Sequence, residues 1–191
     1  MKTKQIASLL IISGSLFILA CKHEVKYSTN GFTNKADAIN SVTDSGKEGK
    51  WIEYSDINDD SISDSSKAVY YTLTIYKMGK KFGTVRQYFK SGVIRNEWTY
   101  TNGQISGLSK EYDENGKLKS EYPYSGGKID GVAKLYYAGG KVSAERTFKN
   151  GNEMAEKRYF ENGKVSADIT YINGFPGEVK MYDTTGTEII H

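Results

Sequence analysis

From Gly83 onward the chain repeats itself. Five residues after Gly83, Gly107, Gly131, Met154 and Gly177 stand Tyr88, Tyr112, Tyr136, Tyr159 and Tyr182, and four further on stand Gly92, Gly116, Gly140, Gly163 and Gly186. The unit recurs every 24 residues and then every 23, with no slip inside it. Self-similarity of this length marks a repeat architecture, in which each unit is one supersecondary element that buries its apolar surface against its neighbours. It constrains the fold more than any other feature of the sequence.

The stretch "SKEYDENGKLKSEYPY", Ser109 to Tyr124, shows what the element is. Asn-Gly flanked by alternating residues is the strongest short hairpin signal, so each unit reads as two strands around a two-residue turn such as Asn115-Gly116. Counting outward from the turns sets Arg86 against Glu97, Lys110 against Glu121, Lys134 against Glu145, Lys157 against Asp168 and Lys180 against His191. Opposite charges facing across antiparallel strands contribute about 0.2–1 kcal/mol each and fix register. The same count sets Gly83 against Tyr100, Gly107 against Tyr124 and Gly131 against Phe148, where a ring can cover the bare glycine backbone. Further turns at Asn102-Gly103, Gly126-Gly127, Asn150-Gly151 and Asn173-Gly174 join the units. The expected fold is all-β: an elongated antiparallel meander of tandem 23–24-residue β-hairpin repeats.

Strict alternation then predicts two faces. Leu118, Ala133, Leu135, Val142, Ala144, Phe148, Val165, Ala167 and Ile169 share the face expected to pack. The charge column and the tyrosines Tyr88, Tyr112, Tyr136, Tyr159 and Tyr182 share the other. The 23-residue units lack one connecting residue, so some inter-repeat connections must carry a bulge.

Glycine, a tyrosine or tyrosine-aromatic pair, then x-Asn-Gly-Lys-aliphatic, as in "YFENGKV" (Tyr159 to Val165) and "EYDENGKL" (Glu111 to Leu118), resembles the MORN-variant repeat, including bacterial proteins labelled YwqK-type antitoxins. The resemblance runs from about Gly49 to His191. It implies a β-hairpin repeat fold and, for the antitoxin members, neutralisation of a toxin; it names no ligand. Met154 in place of the leading glycine, an acidic insertion and a shortened last unit depart from the pattern.

The ends of the chain differ from the repeats. Lys2 and Lys4 precede an uncharged apolar run from Ile6 to Ala20, placed like a signal peptide over residues 1–20 and short for a membrane span. The run ends "FILAC" at the only cysteine, Cys21, and resembles the bacterial lipobox, which implies lipidation of Cys21 and a membrane anchor. An uncleaved anchor and a plain secretory signal are the competing readings. In lipoproteins an Asp after the cysteine favours retention at the inner membrane; Lys22 here favours an outer membrane. Residues 21–48 are polar with no clean period and read as a lipidated N-terminus and flexible tether, ahead of a repeat domain over 49–191. The first copy, "GKWIEY" from Gly49, is interrupted by the acidic stretch "SDINDDSISDSS", and residues 55–67 read as an exposed loop at a hairpin tip.

Of the mature residues, 24 are basic and 23 acidic, and nothing in that net charge of +1 suggests a nucleic-acid partner, which normally goes with a clearly basic domain. The only histidines, His23 and His191, lie outside the regular units, so no Ser-His-acid or Cys-His site assembles there and no enzyme is expected. Asp56, Asn58 and Asp60 hold the first, third and fifth positions of a calcium loop. Ser61 in place of the sixth-position Gly and Lys67 in place of the twelfth-position Glu favour a solvated acidic loop instead. No cofactor is expected. The remaining candidate is the face of Tyr88, Tyr112, Tyr136, Tyr159 and Tyr182 with Lys110 and Lys134, an amphipathic strip suited to a peptide or a glycan, against the simpler reading that the rings pack on one another. The expected protein is an exported, lipid-anchored binder of a protein partner at the cell envelope. The alternatives are an antitoxin or immunity protein, and a structural or glycan-binding envelope module.

Overall fold

The computed structural model describes residues 27–190, so the signal peptide, Cys21, His23 and the Lys180–His191 pair lie outside the described residues. The strands are β1 (Ser41–Thr43), β2 (Gly46–Ser55), β3 (Ser61–Ile62), β4 (Tyr70–Lys77), β5 (Lys80–Phe89), β6 (Ile94–Thr101), β7 (Gln104–Ile105) and β8 (Gly107–Tyr112). They continue as β9 (Leu118–Ser125), β10 (Lys128–Ile129), β11 (Gly131–Tyr136), β12 (Val142–Lys149), β13 (Asn152–Tyr159), β14 (Val165–Ile172), β15 (Phe175–Tyr182) and β16 (Glu188–Ile190). All join one antiparallel sheet, ordered along the chain as a meander, with β3, β7 and β10 as short side pairings.

The two kinds of turn have different chemistry. The inter-repeat turns have positive φ at both central residues, 53° and 80° at Asn102-Gly103 and 51° and 86° at Asn150-Gly151, which is the two-residue geometry that matches strand twist. Inside the repeat only the glycine is left-handed, as at Gly116 (φ 77°). There the Asp113 N–H donates to the Lys117 carbonyl and the Gly116 N–H to the Asp113 carbonyl, which closes a three-residue loop rather than the expected two-residue turn. A β-bulge compensates: Tyr112 faces Leu118 while Glu111 faces Ser120, leaving Lys119 without a register partner and restoring the register expected beyond it. The same shift recurs at Tyr88, Tyr136, Tyr159 and Tyr182.

This bulge corrects the expected faces. Leu118, Val142 and Val165 stand opposite Tyr112, Tyr136 and Tyr159, so they share the tyrosine face and not the opposite one. The opposite face packs by pairing small with large: Val85 faces Trp98, Ser109 faces Tyr122 and Ala133 faces Arg146, and the small members are 0%, 9% and 0% exposed. Its larger side chains, such as Leu135 and Phe148, stay half-buried.

The best-formed core lies at the N-terminal end, on the tyrosine face. Phe32, Leu73, Ile75 and Tyr88 form it, with Ile52, Tyr71, Phe82 and Ile94 around them. Phe32 belongs to the stretch read as tether, and that reading fails for the described part of it. Thr29 and Asn30 bond to β5, a 3-10 turn at Lys35–Asp37 follows, and β1 pairs with β2. A polar stretch whose only large aromatics are Tyr27 and Phe32 gives no periodic signal, yet buried Phe32 with Tyr27 packed beside the core is enough to seat it.

The acidic insertion is braced on the opposite face. Asp59 accepts from Gln87 Nε2 at 2.8 Å and pairs with Arg95 at 2.7 Å, while a second 3-10 turn at Ser65–Lys67 leads into β4. The two non-repeat segments thus cover opposite faces of the first strands.

Candidate binding face

Lys110 and Lys134 lie in a charge ladder longer than the hairpin pairs implied. In adjacent strands the register runs Arg86, Glu97, Lys110, Glu121, Lys134, Glu145, Lys157, Asp168, Lys180, one residue per strand and alternating in sign throughout. Ion pairs close within the hairpins: Arg86–Glu97 at 2.7 Å, Lys110–Glu121 at 3.6 Å, Lys134–Glu145 at 4.0 Å and Lys157–Asp168 at 3.4 Å. Each charge between Glu97 and Asp168 also has an opposite charge on its other flank, so the row alternates along its length and disfavours any one-step slip.

The tyrosines stand two residues along from the bases. Tyr88 is buried and stacks on Tyr71 with centroids 4.9 Å apart and planes at 8°, so it belongs to the core. Tyr112, Tyr136, Tyr159 and Tyr182 are half-buried. Tyr136 donates its hydroxyl to Glu121 Oε2 at 2.7 Å and Tyr159 to Glu145 Oε2 at 2.8 Å. Burial, then the bonded carboxylate, pushes both phenols up to about 12. Tyr136 and Tyr159 bond backwards across the repeat boundary, and the bulge sets Leu118, Val142 and Val165 opposite Tyr112, Tyr136 and Tyr159.

Sequence reasoning missed the apolar shelf on the far side of the ladder. Leu108 faces Pro123, and Leu108 and Val132 are 43% and 48% exposed on the same face. Large aliphatic side chains in strands, in phase with the lysines, were the available signal. It also missed Glu156, 2% exposed on the opposite face, held by Arg146 Nε at 3.0 Å and Arg158 Nη2 at 2.7 Å. Burial raises its pKa, but the bond from Arg158 and the charge of Arg146 outweigh that and hold it below the usual carboxylate range. Both oxygens are occupied, so Glu156 is a structural anchor.

The candidate calcium ligands do not converge. Asp56 Oδ1 accepts from the backbone N–H groups of Asn58 and Asp60 at 2.8 and 3.1 Å, capping its own turn. Among the described residues no group of three or more His, Cys, Asp or Glu could hold a metal ion. Among them, too, no helix is long and apolar enough to cross a membrane.

No curated protein matches the chain. Among solved structures, the crystal structure of the GtfA/B complex bound to UDP and GlcNAc covers 63% of this chain and 22% of its own, at 12% identity and a TM-score of 0.23, a likeness that bears on neither fold nor function. The family described as "MORN repeat variant" matches residues 83–102, 105–125, 129–150 and 152–173, the consecutive units that carry the ladder from Arg86 to Asp168 and the tyrosines from Tyr88 to Tyr159. Residues 83–173 of this chain are four tandem MORN-variant repeats.

Proposed function

We propose that the chain is a non-enzymatic binding protein, exported and held at the cell envelope through a lipid on Cys21, whose ladder face takes a protein partner. The MORN-variant repeats mark it as a repeat-based binding module. The observation that carries the finer reading is the pair of exposed aliphatic side chains, Leu108 and Val132, beside half-buried tyrosines on one continuous face. Exposed apolar groups rimmed by polar ones are characteristic of interaction sites, and tyrosine is enriched there. A face whose charges alternate in sign supplies specificity through position more than through net attraction. The antitoxin reading is the case in which the partner is a toxin.

The test is capture from envelope extracts by the chain carrying Cys21→Ser, compared with the same chain carrying Leu108→Ser and Val132→Ser as well. Both positions are exposed enough for the fold to tolerate the change. Loss of one defined partner supports the reading; retention of the same partner, or capture of glycan alone, overturns it. Cys21→Ser is itself expected to move the chain from the membrane to the soluble fraction, since the lipid chains would be its anchor.

A further inference from the structure

The chain's own N-terminal segment shows how a peptide lies on the ladder face. The Thr29 carbonyl accepts from the Thr84 N–H at 2.7 Å and from its hydroxyl at 3.2 Å, and the Asn30 carbonyl accepts from Arg86 Nη1 at 2.8 Å. Two glycines permit the approach: a Cβ on Gly83 would lie 2.6 Å from the Thr29 oxygen, and one on Gly31 would lie 2.1 Å from the Thr84 oxygen. The sheet opens at this point, because the register of β4 and β5 breaks between Leu73↔Arg86 and Ile75↔Phe82.

The same device recurs one unit later, and no described residue fills it. Gly107, Leu108 and Lys110 replace Gly83, Thr84 and Arg86 at the repeat spacing, with Gly107 at φ 77° against 69° at Gly83. The β6–β8 register holds only Asn96↔Glu111 and Glu97↔Lys110, leaving Gly107 beyond it as Gly83 is beyond the corresponding pairs. Yet among the described residues a Cβ on Gly107 would meet nothing within 4 Å. At the third position the space is filled from within: Pro123 Cγ lies 3.1 Å from where a Cβ on Gly131 would be. The later units, one residue shorter, keep only a single extra residue each, at Met154 and within Gly177–Glu178.

We infer that the opening over Gly107 is a docking site for an extended, glycine-containing peptide segment of a partner protein, laid as Thr29 to Gly31 are laid one unit earlier. It rests on the reading that this face binds protein. The Lys110 ammonium takes a peptide carbonyl as the Arg86 guanidinium does, and Leu108 and Val132 receive a neighbouring apolar side chain. An acidic segment is disfavoured, since Lys110 is already paired with Glu121. Glycine is required of the ligand because the backbone must come as close as Gly31 does.

The probe is a synthetic peptide of residues 27–36, titrated into the full chain carrying Cys21→Ser with NMR readout. Saturable shifts are expected at Gly107 to Tyr112, weakened at least tenfold by Gly107→Asn, which tolerates a positive φ and fills the opening. Where that variant proves unfolded by circular dichroism, Leu108→Glu serves in its place. No saturable shift at about 1 mM peptide, shifts confined to Gly83–Tyr88, or binding unchanged in the variant overturns the inference. If the peptide fails while Leu108→Ser with Val132→Ser still abolishes capture of a partner, only the peptide site falls; if capture is also unaffected, the binding face falls with it.

Discussion

Tyr136 donates its hydroxyl to Glu121 across a repeat boundary at 2.7 Å, and Tyr159 repeats the arrangement with Glu145 one unit on. Tyr136 and Tyr159, each at the start of a turn, are therefore rivets to the preceding unit. Burial and the carboxylate raise the phenol to about 12, above its ordinary value of 10.0. A raised folded value means that the stability it contributes is present below pH 10 and is lost as the pH rises through about 12. Tyr136→Phe should cost about 1 kcal/mol at neutral pH and flatten the alkaline loss of stability. Denaturant unfolding at pH 7 and near pH 11 checks both, and an unchanged alkaline slope would count against the rivet.

The repeat period made most of this legible. A fixed spacing of Gly, Tyr and Gly placed every hairpin, and with them the pairings of Lys110 with Glu121 and Lys134 with Glu145. Two departures stayed hidden because they cancel: the loop at Glu114–Gly116 is one residue longer than a two-residue turn, and the bulge at Lys119 absorbs the excess. Beyond the bulge the register agrees, and only the facing of Leu118 betrays it. The open side of the glycines was also misread. Gly83 and Gly131 meet Thr29 and Pro123, not the aromatic opposite, because a positive φ turns the missing Cβ toward the other face.

Phe32→Ala tests whether the N-terminal segment belongs to the fold. The ring is 8% exposed against Leu73, Ile75 and Tyr88, so truncation should cost about 3 kcal/mol and lower the melting temperature by several degrees. Faster proteolysis between Tyr27 and Asn40, with the repeats still protected, should accompany it. A melting temperature equal to that of the unaltered chain would restore the tether reading.

Glu156→Gln should cost about 2 kcal/mol, because it leaves two guanidinium groups facing a neutral amide at a buried site. The Glu156 carboxyl is held below its ordinary value in the folded chain. Its contribution is therefore full above the usual carboxylate range and is lost as the pH falls through the folded value. Stability curves of the two proteins should converge on acidification. Parallel curves across that range would show that Glu156 carries no linked charge.

The charge ladder makes a prediction that isolated pairs do not. If Lys110 and Glu121 were an independent pair, the exchange Lys110→Glu with Glu121→Lys would restore what either single change removes. In the observed register Glu97 lies on the far side of Lys110 and Lys134 on the far side of Glu121. The exchange therefore mends one contact and creates two of like charge, Glu against Glu97 and Lys against Lys134. At about 0.2–1 kcal/mol per facing pair, the double variant should remain less stable than the parent by about 1 kcal/mol. Extending the inversion to Glu97→Lys and Lys134→Glu moves the like-charge contacts outward to Arg86 and Glu145 without removing them, so the deficit should persist. High salt should narrow it, since these side chains are part-exposed and screened. Chemical denaturation of the single, double and quadruple variants measures it. A double variant as stable as the parent would show that the hairpins carry their charges independently, and that register between repeats is set elsewhere.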